Sequence, residues 1–158
     1  AQDPQSMGGM GPTVCLAIVS GETAYIANVG DSRAYLVRGQ ELRQLTVDHT
    51  QAQLLFDRGE LSREELDHHP ARNSLTRAVG VAAAVAADYT QCRLEPGDAL
   101  LLCSDGLYSM VDPTTLRECA RQSVSQEDSK CLIDAANSRG GRDNITAVII
   151  WYEENRNG

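Results

Sequence analysis

Two aspartates sit where a strongly apolar run meets a glycine-bearing turn. Asp105 closes Ala99-Leu100-Leu101-Leu102-Cys103-Ser104 and is followed by Gly106; Asp143 follows Gly140-Gly141-Arg142 and precedes Asn144-Ile145-Thr146-Ala147-Val148-Ile149-Ile150-Trp151. An apolar strand that stops at such a residue leaves one carboxylate at the rim of a buried sheet, and glycine lets other atoms approach the backbone closely. Two rims of this kind can share a hard cation. Asp31, in Val29-Gly30-Asp31-Ser32-Arg33, is placed in the same way. Oxygen-only ligation suits Mg²⁺ or Mn²⁺ far better than zinc. An aspartate beside a glycine is, taken singly, most often a turn former; the conjunction of three with their neighbours is what points to a metal.

The elements that must carry these residues can be read from periodicity. Thr13 to Ser20, Thr23 to Val29 and Arg33 to Val37 are short apolar and β-branched runs broken by Gly21-Glu22 and Gly30-Asp31-Ser32, the pattern of antiparallel strands joined by tight turns. A strand from Glu41 to Thr46 would complete a meander. A helix is predicted over Gln51 to Arg58, stopped by Gly59, and Ser62-Arg63-Glu64-Glu65 fits a capping box for a second. His68-His69-Pro70 breaks it. Ser74 to Val79, Tyr89 to Leu94 and Ala99 to Cys103 read as strands. Asp112-Pro113 starts a helix running to about Gln122, and Ser125-Gln126-Glu127-Asp128 starts another that Gly140-Gly141 ends. The final run, Ile145 to Tyr152, is apolar at nearly every position and is expected to be central in its sheet. The whole is one α+β domain over residues 13–152, with a flexible entry segment at 1–12 and a tail at 153–158.

Composition narrows the partners. The 158 residues carry 22 acidic and 14 basic side chains, a net charge of −8, which disfavours nucleic acid and anionic membranes. No apolar stretch approaches the roughly 20 residues of a membrane span, and the N-terminus lacks the regions of a signal peptide, so a cytoplasmic protein is expected. The cysteines, Cys15, Cys92, Cys103, Cys119 and Cys131, are odd in number and widely spaced. They read as reduced thiols, with Cys15 and Cys103 as small core residues.

Several motifs occur in order: Gly8-Gly9-Met10-Gly11-Pro12-Thr13, Val29-Gly30-Asp31-Ser32-Arg33-Ala34-Tyr35, Leu45-Thr46-Val47-Asp48-His49, Ser74-Leu75-Thr76-Arg77-Ala78-Val79-Gly80, Pro96-Gly97-Asp98, Leu102-Cys103-Ser104-Asp105-Gly106-Leu107 and Gly141-Arg142-Asp143-Asn144-Ile145-Thr146. From Gly8 to Trp151 the chain resembles the metal-dependent serine/threonine protein phosphatases of the PPM or PP2C type, in particular the bacterial branch. The resemblance implies an antiparallel β-sandwich flanked by helices, a four-layer αββα arrangement of which the N-terminal part is lacking. It implies two Mn²⁺ or Mg²⁺ ions, with a third more weakly held. Asp105 and Asp143 would be ligands of the core pair, and Asp31 with Asp105 would hold the outer ion. Asn144 would support the Asp143 turn, and Thr50 to Asn73 would be a flap that influences substrate choice. The expected reaction is hydrolysis of phosphoserine or phosphothreonine in a phosphoprotein by metal-activated water, a signalling activity opposing a serine/threonine kinase.

The departures are as informative. The family's early motifs are absent: a phosphate-binding arginine, a Glu-Asp pair, and an Asp-Gly-Met-Gly-Gly-His segment whose aspartate bridges both metals. The chain corresponds to the C-terminal two thirds of the family domain, and Asp3 does not replace the bridging carboxylate. Impaired catalysis is expected, and the competing reading is a noncatalytic PP2C-like regulatory or interaction domain. A truncated sheet would also expose edges that favour self-association. His49, His68 and His69 match no catalytic histidine of the family and read as surface or flap residues. Arg33 reads either as a phosphate contact or as the partner of a nearby carboxylate.

Overall fold

A computed structural model describes residues 11–126 and 129–153. The entry segment expected at 1–12, with Asp3 and Met7-Gly8-Gly9-Met10, lies almost wholly outside these residues, as does the tail beyond Glu153. Among the described residues the elements follow in the order β1 (Val14–Ser20), β2 (Thr23–Val29), β3 (Arg33–Arg38), β4 (Glu41–Gln44), α1 (Gln51–Asp57), α2 (Arg63–His68), β5 (Asp88–Arg93), β6 (Ala99–Cys103), α3 (Asp105–Tyr108), α4 (Pro113–Gln126), α5 (Lys130–Ser138) and β7 (Ala147–Trp151). The strands form two antiparallel sheets, ordered β1-β2-β5 and β4-β3-β6-β7. The α+β sandwich expected from sequence is therefore present.

Period-two alternation in β3 and β6 explains the layering. Ala34, Leu36, Leu100 and Leu102 face Ala24, Ile26 and Cys92 of the first sheet, while Tyr35, Val37, Leu101 and Cys103 face Leu116, Cys119 and Ala120 of α4 and Leu132 and Ala136 of α5. Both faces of the second sheet are thus covered, and its inner strand β6 reads as a continuous apolar run. Each fully buried Leu or Ile in these layers contributes about 1.5–3 kcal/mol relative to exposure.

Four expectations need correction. The first strands do not form a single meander: β2 and β3 belong to different sheets, because the chain crosses between them at Gly30, whose φ of +107° is open to glycine and strained for other residues. β7 is not central, since among the described residues it pairs with β6 alone. Its unbroken apolarity has another cause: Ala147, Ile149 and Trp151 pack toward the helices and Ile150 toward the other sheet, with Val148 exposed. Ser74 to Val79 is not a strand. It makes only an isolated antiparallel bridge, Leu75 opposite Thr50, with Gln51 N–H on the Ser74 carbonyl and Thr76 N–H on that of His49, while Val79 N–H bonds to the Pro12 carbonyl. Finally, the cysteines are not all free. Cys119 and Cys131 form a disulfide between α4 and α5, whose facing sides bring their Cα atoms to 5.3 Å, a proximity that no short Cys spacing announces.

The helix caps follow the sequence closely. Ser62 and Glu65 form the capping box of α2, and Asp112 accepts from the Thr115 amide at the start of α4. The long helix α4 continues to Gln126, past the expected stop at Gln122 and the expected restart at Ser125, and α5 begins at Lys130; Glu127 and Asp128 lie outside the described residues.

Candidate metal centre

The rims of β6 and β7 are stitched together at one serine. Ser104 N–H donates to the Thr146 carbonyl at 3.1 Å, its hydroxyl donates to the Asn144 carbonyl at 3.2 Å, and the Thr146 amide donates back to that hydroxyl at 3.0 Å. A Cβ on Gly106 would collide with the Asn144 carbonyl, so the two turns can approach this closely only because residue 106 is glycine. Asp105, first residue of the short helix α3, and Asp143 are thereby held on adjoining turns. Burial and then the neighbouring Asp143 push the Asp105 carboxyl above its ordinary range. Asp143 is exposed and accepts from the Asn144 amide at 2.7 Å, so Asn144 supports the turn through its backbone.

Asp31 lies in the crossing from β2 to β3 and is only 7 % exposed. Burial, then Asp105 and Asp48, raise its pKa to about 6. The backbone around it is anchored from α3, where the Tyr108 hydroxyl donates to the Asp31 carbonyl at 2.7 Å. Burial, followed by nearby Asp48, holds that phenol well above its usual range and keeps it a donor. Arg33 lies over the Tyr108 ring at 3.7 Å from its centroid. Its Nε and Nη2 reach the two oxygens of Asp48 at 2.9 and 2.7 Å, and its Nη1 reaches the Tyr35 hydroxyl at 3.0 Å. Of the two readings of Arg33, the bidentate carboxylate pair is the one observed.

The sequence reading of His49 is corrected. It is 5 % exposed and hydrogen-bonded on both ring nitrogens, to Gly30 and to Asp88, whereas His68 is exposed and His69 partly so. Asp48, Asp88, Arg77 and Tyr108, which orient this end of the sandwich, were not singled out as functional. Asp48-His49 does stand directly before the α1 cap Thr50, and that placement of two titratable residues between strand and helix was the available signal.

A divalent cation suits this chemistry. It would relieve the repulsion between Asp105 and Asp143 and the burial cost of Asp31, and all three offer hard oxygen donors. Among the described residues no three His, Cys, Asp or Glu gather closely enough to enclose an ion. Asp31, Asp105 and Asp143 thus do not by themselves make a complete cation site. The thiols do not compete as nucleophiles, since burial raises Cys103 to about 12 and Cys15 to about 11. Beside the site, a groove of about 370 Å³ runs between the α1–α2 segment and the start of α4, lined in part by Arg33, Asp48, Arg63, Arg72, Tyr108 and Asp112.

Known proteins share this architecture. The serine/threonine phosphatase stp of Listeria monocytogenes is 40% identical across the whole chain, which spans 63% of that relative's length. The crystal structure of the Mycobacterium tuberculosis serine/threonine phosphatase PstP/Ppp superimposes with a TM-score of 0.84 at 36% identity, covering 95% of this chain and 63% of that one. A structure of the PstP catalytic domain in complex with two manganese ions aligns at 34% identity with a TM-score of 0.76, over 92% of this chain and 60% of that one. The model of the protein phosphatase 2C family matches residues 2–145. Sequence, fold and the ordered acidic turns agree, and the chain belongs to the protein phosphatase 2C family.

Proposed function

We propose that the protein dephosphorylates phosphoserine and phosphothreonine in proteins, in the cytoplasm and in opposition to a serine/threonine kinase, with Asp105, Asp143 and Asp31 as metal ligands. The observation that carries this reading is the Ser104 stitch, which holds Asp105 and Asp143 on adjoining turns despite their repulsion. The family membership and the two manganese ions of the PstP neighbour support a pair of divalent cations, which we take to be Mn²⁺ or Mg²⁺, and the third, more weakly held ion rests on the resemblance alone.

When bound, such a metal pair supplies acidified water near neutral pH and neutralises charge on the phosphoryl oxygens. The chain's own residues have distinct tasks. Asp105 and Asp143 bind, Asp31 holds the outer position, and Tyr108 fixes the Asp31 carbonyl. Arg33 is held by Asp48 and Tyr35 and serves the scaffold, leaving phosphate recognition to other groups. The α1–α2 segment walls the groove in which the residues flanking a phosphorylated side chain would lie.

The 158 residues carry no counterpart of the bridging carboxylate expected from the resemblance, so they are expected to hydrolyse poorly alone. Hydrolysis of a phosphothreonine peptide with and without Mn²⁺ is the test. Weak turnover by these residues, with strong turnover by a protein that also carries an Asp-Gly-Met-Gly-Gly-His segment, is the expected result. Strong turnover by the 158 residues would refute the need for that segment. No turnover in either would favour the noncatalytic reading.

A further inference from the structure

The Gly30–Asp31 turn is gripped from behind by residues that the reaction above does not use. Gly30 N–H donates to His49 Nδ1 at 3.0 Å, and His49 N–H donates to the Gly30 carbonyl at 3.0 Å, which also accepts from Asn28 Nδ2 at 3.2 Å. Both backbone polar groups of Gly30, the residue before Asp31, are therefore fixed, at a position whose φ is positive and whose missing Cβ would strike Thr13. The imidazole lies 19 residues away in sequence and is buried.

A neutral imidazole has one accepting nitrogen. With Nδ1 receiving the Gly30 amide, Nε2 must carry the ring proton and donate it to Asp88 Oδ2 at 2.9 Å. The other oxygen of Asp88 accepts from Arg77 Nη1 at 2.6 Å. That Nη1 also lies 3.3 Å from Nε2. Two donors face each other across this distance, so the contact is proximity, and the hydrogen bond from Nε2 belongs to Asp88.

Resting on the reading of Asp31 as a metal ligand, we propose that His49 is a positioning residue: its bare Nδ1 fixes the turn that aims the Asp31 carboxylate, and Asp88 with Arg77 fixes the tautomer that leaves Nδ1 bare. A packing role would need only the shape of the ring. The proposed role needs an acceptor at one atom, and the two separate on substitution. The Oδ1 of asparagine can stand in for Nδ1, whereas leucine fills space without accepting. Asp88→Asn discriminates further. Arg77 keeps an oxygen opposite itself, so the new NH₂ faces Nε2 and drives the ring proton to Nδ1, where it opposes the Gly30 amide.

The test combines nitrogen-15 NMR of the His49 ring in the metal-free, full-length protein with Mn²⁺ titration of the variants. The expected spectrum has a bare Nδ1 and a protonated Nε2, exchanging places in Asp88→Asn. By analogy with other groups that orient metal ligands, affinity at the weakest Mn²⁺ site should fall roughly tenfold or more in His49→Leu and Asp88→Asn, and stay within about threefold in His49→Asn. A proton on Nδ1 in the unsubstituted protein, equal losses in His49→Asn and His49→Leu, or no loss in Asp88→Asn would each overturn the proposal. Should His49→Leu fail to fold, the contrast between His49→Asn and Asp88→Asn still decides. Unchanged Mn²⁺ binding in Asp31→Asn would remove the ligand reading and this proposal with it, and the metal-free spectrum tells that failure apart from a wrong tautomer.

Discussion

Asp31 is a carboxylate held where ionisation is unfavourable, and that has a measurable consequence. A folded-state pKa raised to about 6 means that the residue costs stability as pH rises from its unfolded value, about 3.9, through about 6, and the full cost persists above that. Asp31→Asn should therefore stabilise the metal-free protein at pH 7.5, by at most about 3 kcal/mol, since each pKa unit corresponds to about 1.36 kcal/mol. The gain should vanish below about pH 4. Thermal melting of both proteins across this range checks it, and a destabilised variant at pH 7.5 would contradict it. A site that binds a cation is where such a cost is tolerated, because the ligand offsets it. The three aspartates stand out as candidates through their place between apolar runs and glycine. The groups around them stand out less, because Asp48, Asp88 and Arg77 act through contacts separated by 15, 39 and 11 residues from their partners Arg33, His49 and Asp88.

At the scale of elements, α4 and α5 are joined both by packing and by a covalent link. Cys119 and Cys131 are 12 residues apart. A loop of that size restricts the unfolded chain enough to contribute about 2–3 kcal/mol. Reduction, or Cys131→Ser, should lower the melting temperature, with mass spectrometry of the alkylated protein reporting the thiol count. An oxidised protein that labels at both positions would refute the pairing. The helices themselves were readable from Asp112-Pro113, the Ser62 capping box and Gly140-Gly141. Their boundary was not, because the polar run from Gln122 to Gln126 carries no breaker and a continuing helix satisfies its backbone. Most strands were likewise readable, with Ser74 to Val79 the exception, while sheet membership was hidden. Gly30-Asp31-Ser32 looks like a hairpin turn, yet it passes the chain from one sheet to the other, and alternation within a strand says nothing about which neighbour it will meet.

In the whole molecule, helices α4 and α5 cover the second sheet, and among the described residues no element covers the outward face of the first. Leu16 and Ile18 of β1, Tyr25 of β2 and Tyr89 of β5 are between 49% and 81% exposed on or beside that face, and β1 and β7 have unpaired edges among the described residues. Open edges and apolar stripes favour association. Light scattering of the 158 residues should therefore report species larger than a monomer as concentration rises, and Ile18→Lys should reduce them. A monomeric profile at high concentration would contradict this. No helix among the described residues is long and apolar enough to cross a membrane.

The central claim is that Asp105 and Asp143 bind metal, and calorimetric titration of Mn²⁺ into the protein and into its Asp105→Ala and Asp143→Ala variants tests it most directly. The account predicts saturable binding that weakens at least tenfold in each variant while both stay folded, in line with the loss of a carboxylate ligand from an oxygen site. Binding that is unchanged in both variants would contradict it.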